Sequence, residues 1–183
     1  QTLTIEDTTG TGSVVFGQSD SVAVDSETGP VTLVRTEGDI NVGAGTDDDD
    51  EVGGGIVLNG GPGTSSTITF RTLDEGSVRL NGAVTLNSDL VVTTNGDGDT
   101  GRGLGQGGNI TLTDVATIDS QTGENNDVTL RAGAGQISFN ANVGATDALQ
   151  SLTIEDTTGA GSVVFGQTDT TAVDSETGPV TLV

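Results

Sequence analysis

Apolar and polar residues alternate along this chain in short segments of three. Gly, Asn, Asp, Ser and Thr, which turn a chain, fill the stretches between these segments. Alternation with a period of two in segments rich in Val, Ile and Thr predicts short strands with one buried and one outward face. The segments include Leu3-Thr4-Ile5, Val31-Thr32-Leu33, Ile40-Asn41-Val42, Ile68-Thr69-Phe70, Val78-Arg79-Leu80, Val84-Thr85-Leu86, Ile110-Thr111-Leu112, Val128-Thr129-Leu130 and Ile137-Ser138-Phe139. No stretch shows the 3.6-residue period of a helix, so we expect an all-β chain.

A long internal repeat organises the sequence. Residues 1–34 recur as residues 150–183, with 29 of 34 positions identical. We therefore interpret residues 1–149 as one full tandem repeat unit and residues 150–183 as the start of the next. We expect a longer array in which the residue after Val183 resembles Arg35; a single duplicated segment is the alternative. A weaker repeat inside the unit places a Gly two residues before a triplet at both Gly38 and Gly135.

Very short strands, small turns and few large side chains are typical of a parallel β-solenoid, in which each coil adds one rung to every sheet. About 16 segments per unit, at three per coil, predict about five to seven coils, or roughly 25–35 Å of axis per unit. Phe16 recurs as Phe165, as a stacked interior position would. Tandem β-sandwich domains, one per unit, are the alternative fold.

The composition excludes several classes of function. The 183 residues include 27 acidic and 5 basic ones, all Arg, for a formal charge of −22, and there is no His or Cys. The chain therefore lacks the usual ligands of zinc, a thiol nucleophile and the usual base of a serine triad. We expect no nucleic-acid binding, because a basic face is missing, and no membrane insertion, because apolar runs are short.

Paired carboxylates do not make a convincing hydrolase site. Glu6 with Asp7 and Asp74 with Glu75 are neighbours in the chain, and neighbours in a strand point to opposite faces. No Trp or Tyr is available to hold a sugar ring. We therefore expect that the protein is not an enzyme.

Two acidic loops make calcium the one cofactor hypothesis. The candidate ligands are Asp47, Asp49 and Glu51 in the first loop and Asn95, Asp97 and Asp99 in the second. Alternate spacing lets carboxylate and amide oxygens converge on one calcium ion. The second loop departs from an EF-hand, because Thr100 occupies the position of the invariant Gly and Gln106 that of the bidentate Glu. A solvated insertion and a simple Gly-Asp turn are the alternative interpretations of the two loops.

Outward Thr residues could form ladders that bind glycans, although Thr is also simply a good polar strand residue. The residues expected to face outward are Thr4, Thr32, Thr69, Thr85, Thr111, Thr129, Thr153 and Thr181.

The segment Gly108-Asn109-Ile110-Thr111-Leu112-Thr113, with residues 128–139 and 143–154, resembles the repeats of giant bacterial surface proteins of the β-strand-repeat, filamentous-haemagglutinin-like type. The resemblance covers about residues 105–183 and, through the repeat, 1–34; residues 43–66 and 93–107 fit less well and look like insertions. It implies a secreted, rod-like filament or adhesin stalk on the bacterial cell surface, whose partners are further copies of itself. The alternative function is a calcium-dependent adhesion module of tandem β-sandwich type with a cell-surface or glycan ligand.

Overall fold

The computed structural model of the protein describes residues 2–6, 12–17, 31–44, 51–59, 66–73, 75–94, 107–157, 161–166 and 180–182. These residues contain sixteen short strands and no helix. Every pairing between the strands is parallel, and together they form three sheets. The protein is therefore a parallel β-solenoid, as predicted. The antiparallel pairing of a β-sandwich does not occur in the described residues.

The chain visits the three sheets in turn. Sheet 1 consists of β1 (Leu3–Glu6), β4 (Ile40–Ala44), β7 (Val78–Leu80), β10 (Ile110–Leu112), β13 (Gln136–Phe139) and β15 (Ser162–Phe165). Sheet 2 consists of β2 (Val14–Gly17), β5 (Ile56–Asn59), β8 (Val84–Leu86) and β11 (Ile118–Ser120). Sheet 3 consists of β3 (Val31–Thr36), β6 (Thr67–Thr72), β9 (Asp89–Thr93), β12 (Asp127–Gly133), β14 (Ser151–Thr157) and β16 (Val180–Leu182).

The core is a stack of apolar columns that run from rung to rung. On sheet 1, Ile40, Val78, Ile110 and Ile137 lie opposite one another on successive strands, and each is at most 2% exposed. The other inward positions behave in the same way, because alternate residues of a strand share a face. Burying one such side chain stabilises the fold by about 1.5–3 kcal/mol relative to leaving it exposed. A narrow core of this kind is filled by a chain with only 31% apolar residues.

A column of glycines forms the corner that leads from sheet 3 into sheet 1. A Cβ atom added at Gly76 would collide with the carbonyl oxygen of Gly38, and one at Gly108 would collide with that of Gly76. The same holds for Gly135 against Gly108. The backbones of successive coils therefore touch at this corner, and we call these four residues the glycine corner.

A polar ladder follows the glycine corner. The Ser77 amide donates to Oδ1 of Asp39 at 2.7 Å, and the Asn109 amide donates to Oγ of Ser77 at 3.1 Å. The Gln136 amide continues the ladder by donating to Oδ1 of Asn109 at 2.8 Å. In these three contacts the earlier coil accepts a hydrogen bond from the later one, so the ladder helps to fix the register of β7, β10 and β13.

Two expectations differ from the structure. Residues 43–66 are not simply an insertion, because they contain β5, a regular strand of sheet 2. The triplet Val31-Thr32-Leu33 has the opposite orientation from the one predicted: Thr32 lies opposite the buried Ile68, and Leu33 is 55% exposed. Strand β3 is shifted by one residue relative to the expected register, and a shift of one residue exchanges the two faces of a strand.

Candidate functional site: outer faces and terminal strands

The calcium hypothesis falls almost entirely on residues that the structure does not describe. Asp47, Asp49, Asn95, Asp97 and Asp99 lie outside the described residues. The remaining candidate, Glu51, directly precedes Val52, a buried residue whose amide donates to the Asn81 carbonyl at 2.8 Å. The described part of the chain holds no group of three or more His, Cys, Asp or Glu that could bind a metal ion. Calcium binding at the two loops remains a prediction.

The predicted Thr residues are divided among the three sheets and do not form one flat array. On sheet 3, Thr69, Thr129 and Thr153 share an outward column, but Val91 interrupts it. Thr181 lies opposite Thr153 and extends this column. The other Thr positions have unlike neighbours: Thr4 lies opposite Asn41, Thr111 between Arg79 and Ser138, and Thr85 between Val57 and Asp119.

A second outward column of sheet 3 gathers carboxylates. Asp89 and Asp127 lie opposite each other on β9 and β12, and Ser151 follows on β14. The Asp127 amide donates to Oδ1 of Asp89 at 2.9 Å, and the Ser151 hydroxyl donates to Oδ1 of Asp127 at 2.5 Å. Burial raises the pKa of Asp89, the hydrogen bond from the Asp127 backbone lowers it, and repulsion by the Asp127 carboxylate raises it further.

A third outward column of sheet 3 gathers basic residues. Arg35, Arg71 and Arg131, three of the five arginines of the chain, share it with Thr93 and Glu155. The Arg131 Nε atom lies 2.8 Å from Oε2 of Glu155, and both side chains are about one-third exposed. An exposed ion pair contributes at most about 1 kcal/mol. The column therefore gains little stability from this pair.

The sequence-based expectations miss both the arginine column and the polar ladder. The arginines are far apart in the chain, and only strand register aligns them. The polar ladder has a local signal, since a tripeptide of Gly, a polar residue and an apolar residue precedes or opens the later strands of sheet 1. These tripeptides are Gly38-Asp39-Ile40, Gly76-Ser77-Val78, Gly108-Asn109-Ile110, Gly135-Gln136-Ile137 and Gly161-Ser162-Val163.

The large apolar side chains that are exposed lie on the outermost described strands of the sheets. Sheets 1, 2 and 3 end with β1, β2 and β3 on one side, and sheets 1 and 3 end with β15 and β16 on the other. The large apolar side chains that are exposed in the described residues are Val15 on β2 (52%), Leu33 on β3 (55%) and Phe165 on β15 (42%).

Phe165 on β15 continues a column of sheet 1 that contains Phe139. Its ring is stacked on that of Phe139, with centroids 5.0 Å apart and planes 5° apart. Phe139 is fully buried, whereas Phe165 is 42% exposed. Phe16, its counterpart in the first copy, instead meets Phe70 edge-on at 74°. The two copies of this Phe therefore occupy different environments, contrary to the expectation of one stacked interior position.

Comparison of the chain with protein-family models, with curated proteins and with solved structures gives no match. Among the described residues, no helix is long and apolar enough to cross a membrane.

Proposed function

We propose that this chain is a structural repeat of an extracellular filament or adhesin stalk on a bacterial cell surface. One observation supports the proposal most: in the described residues, sheets 1 and 3 each run through six parallel strands stacked one on the next. The equivalent residues Val31 and Val180 belong to β3 and β16, five strand steps apart on sheet 3. At about 4.8 Å per step, one repeat lengthens a rod by about 24 Å.

The proposed role is mechanical. Interior strands are hydrogen-bonded on both sides, and each coil contacts only its neighbours, so stability grows with the number of coils. The length of the rod is then set by the number of repeats. The charge of −22 accumulates along such a rod and keeps neighbouring rods apart. Salt or divalent cations would weaken this repulsion.

A calcium-dependent adhesion role is the second candidate, and the acidic loop at Asn95, Asp97 and Asp99 favours it. In that case a cell-surface or glycan ligand would bind to the rod only when calcium is present. The structural role requires no such ligand and no catalytic step.

Electron microscopy of the natively purified protein that contains this repeat tests the structural role. We expect a thin, uniform rod that lengthens by about 24 Å per 149 residues, with or without a chelator. Separate beads, one per repeat, would contradict the proposal, and loss of the rod on chelation would favour the calcium-dependent role.

Two matched variants make the test specific. Leu130→Asp puts a charge into the buried face of β12, and Thr129→Asp puts the same charge on its outward face. Burying an unpaired carboxylate is very costly, so we expect broken rods from Leu130→Asp and intact rods from Thr129→Asp. Equal effects of the two variants would argue against the stacked core as the source of the rod.

A further inference from the structure

Sheet 3 has a broader outer surface than the other two sheets. Strands β7 and β10 of sheet 1 and β8 and β11 of sheet 2 are three residues long, and each presents one outward residue. Strands β6, β9, β12 and β14 of sheet 3 are five to seven residues long and present three outward columns. We call the outward surface of these four strands the sheet 3 face.

The three columns of the sheet 3 face differ in charge. The first column contains Asp89 and Asp127, and the third contains Arg71, Arg131 and Glu155. The middle column contains only Thr and Val. The face thus carries two arginines and three carboxylates, whereas the whole chain has 5 basic and 27 acidic residues. It is therefore close to neutral on a strongly acidic protein.

The carboxylates of the first column have no cation beside them on this face. Asp127 and Arg131 are four residues apart on β12, which separates the two outer columns by about 13 Å. Asp89 instead lies next to Asp127, and burial together with the Asp127 carboxylate raises the pKa of Asp89. A cation brought to this column from outside would therefore be favourable.

A second sheet 3 face supplies such a cation through symmetry. Consider two copies face to face, related by a two-fold axis that runs parallel to the solenoid over the middle column. This rotation exchanges the outer columns, so Asp127 of each copy lies opposite Arg131 of the other. On the neighbouring rungs, Asp89 meets Thr93 and Glu155 meets Ser151, so no rung brings two like charges together. An axis along the strands would instead place carboxylates over carboxylates.

We propose that two copies of this chain pair side by side, in parallel, through their sheet 3 faces. The contact is isologous and uses this face in both copies, so it produces pairs rather than larger bundles. The sheet 3 face is thereby the exception to the general repulsion between acidic rods. This inference extends the proposed structural role, and rests on it, by specifying how two rods meet.

The area of the contact determines how it must be tested. The sheet 3 face measures about 13 Å by about 19 Å, or roughly 250 Å², in one chain. Stable complexes bury about 800 Å² per partner, so single chains pair weakly and the contact adds up along an array. A covalent trap is therefore the right assay for the 183-residue chain, because it collects short-lived pairs.

Thr129→Cys provides this trap, since the natural chain has no Cys. Thr129 lies in the middle column, so the two-fold axis brings the two introduced thiols face to face. Packed sheets are about 10 Å apart, a distance that a bis-maleimide with an arm of about 10 Å spans. Thr85→Cys is the matched control, because Thr85 is the outward residue of β8 on sheet 2. We expect crosslinked dimers from T129C well above those from T85C; equal yields would overturn the pairing.

Charge reversal in the T129C chain tests the alignment of the columns. Asp127→Arg places an arginine over Arg131 at two equivalent contacts, so we expect roughly a tenfold loss of crosslinked dimer. The same change removes the repulsion between Asp127 and Asp89, so the melting curve should show no loss of stability. An undiminished dimer yield would overturn the pairing.

The double reversal D127R/R131D in the same chain restores opposite charges only in the parallel arrangement. We expect it to recover the dimer yield of T129C. A folded double variant, as judged by circular dichroism, that does not recover this yield would overturn the parallel alignment. The comparison of T129C with T129C/D127R decides the pairing without this variant.

Electron microscopy separates this inference from the structural role on which it rests. We expect the natively purified protein to show rods in parallel pairs. Uniform single rods would remove the pairing and leave the structural role standing. Separate beads, one per repeat, would remove the structural role itself.

Discussion

Gly108→Ala tests the close contact between coils. Gly108 does not have a positive φ angle, so the backbone of an alanine fits this position. Its Cβ atom does not, because it would collide with the carbonyl oxygens of Gly76 and Glu75. These are backbone atoms of the preceding coil and cannot rotate away. The variant must therefore separate two coils at the glycine corner.

The cost has two parts. Overpacking a well-packed position costs about 1–3 kcal/mol. Separating the coils also strains the hydrogen bonds that join them, including the Asn109 amide to Oγ of Ser77 at 3.1 Å and the Val78 amide to the Asn109 carbonyl at 2.8 Å. Each such bond contributes about 1 kcal/mol. We expect Gly108→Ala to lower the free energy of unfolding by about 3–5 kcal/mol.

Urea unfolding followed by far-ultraviolet circular dichroism measures this loss, since the chain has no Trp or Tyr to serve as a fluorescent probe. Gly123→Ala is the matched control: Gly123 has φ of +90°, and nothing lies within 4 Å of an added Cβ. The control should lose only about 1–2 kcal/mol, from backbone strain. A loss from Gly108→Ala no larger than that from Gly123→Ala would refute the close contact between coils.

Three further predictions concern packing, pH and calcium. Phe139→Ala should lower the free energy of unfolding by about 3–5 kcal/mol in urea unfolding, and Phe165→Ala by clearly less, because only Phe139 is fully buried. Burial raises the pKa of Asp89, so ionisation of this carboxyl lowers the stability of the fold as pH rises from about 3.8 through the raised pKa. The variant Asp89→Asn should therefore be more stable than the natural chain at pH 7. Melting curves should show that this advantage becomes smaller as pH falls towards 3.8. If the second acidic loop binds calcium, calcium should raise the melting temperature more than an equal concentration of magnesium does, and the difference should disappear in Asp97→Asn/Asp99→Asn.

The local alternation of apolar and polar residues predicts closely where the strands lie. Segments such as Val78-Arg79-Leu80 and Ile110-Thr111-Leu112 are strands with buried first and third residues, as predicted. The alternation suffices because a strand of three residues has only two faces to choose between, and burial of the apolar pair decides the choice. The arginine column could not be predicted in this way. Arg71 and Arg131 are 60 positions apart in the sequence, and only the stacking of β6, β9 and β12 aligns them.

The sequence by itself determined the all-β composition of the described residues, the solenoid class and the acidic character of this protein. These properties depend on local alternation and on residue counts, which no neighbour can change. The tertiary structure alone decided which sheet a given strand joins and in which register. The repeat demonstrates this, since nearly identical residues lie on sheets 1, 2 and 3 in the first copy and on sheets 3, 1 and 3 in the second. The physical reason is that hydrogen bonds and apolar columns from the adjacent rung choose among positions that are locally equivalent.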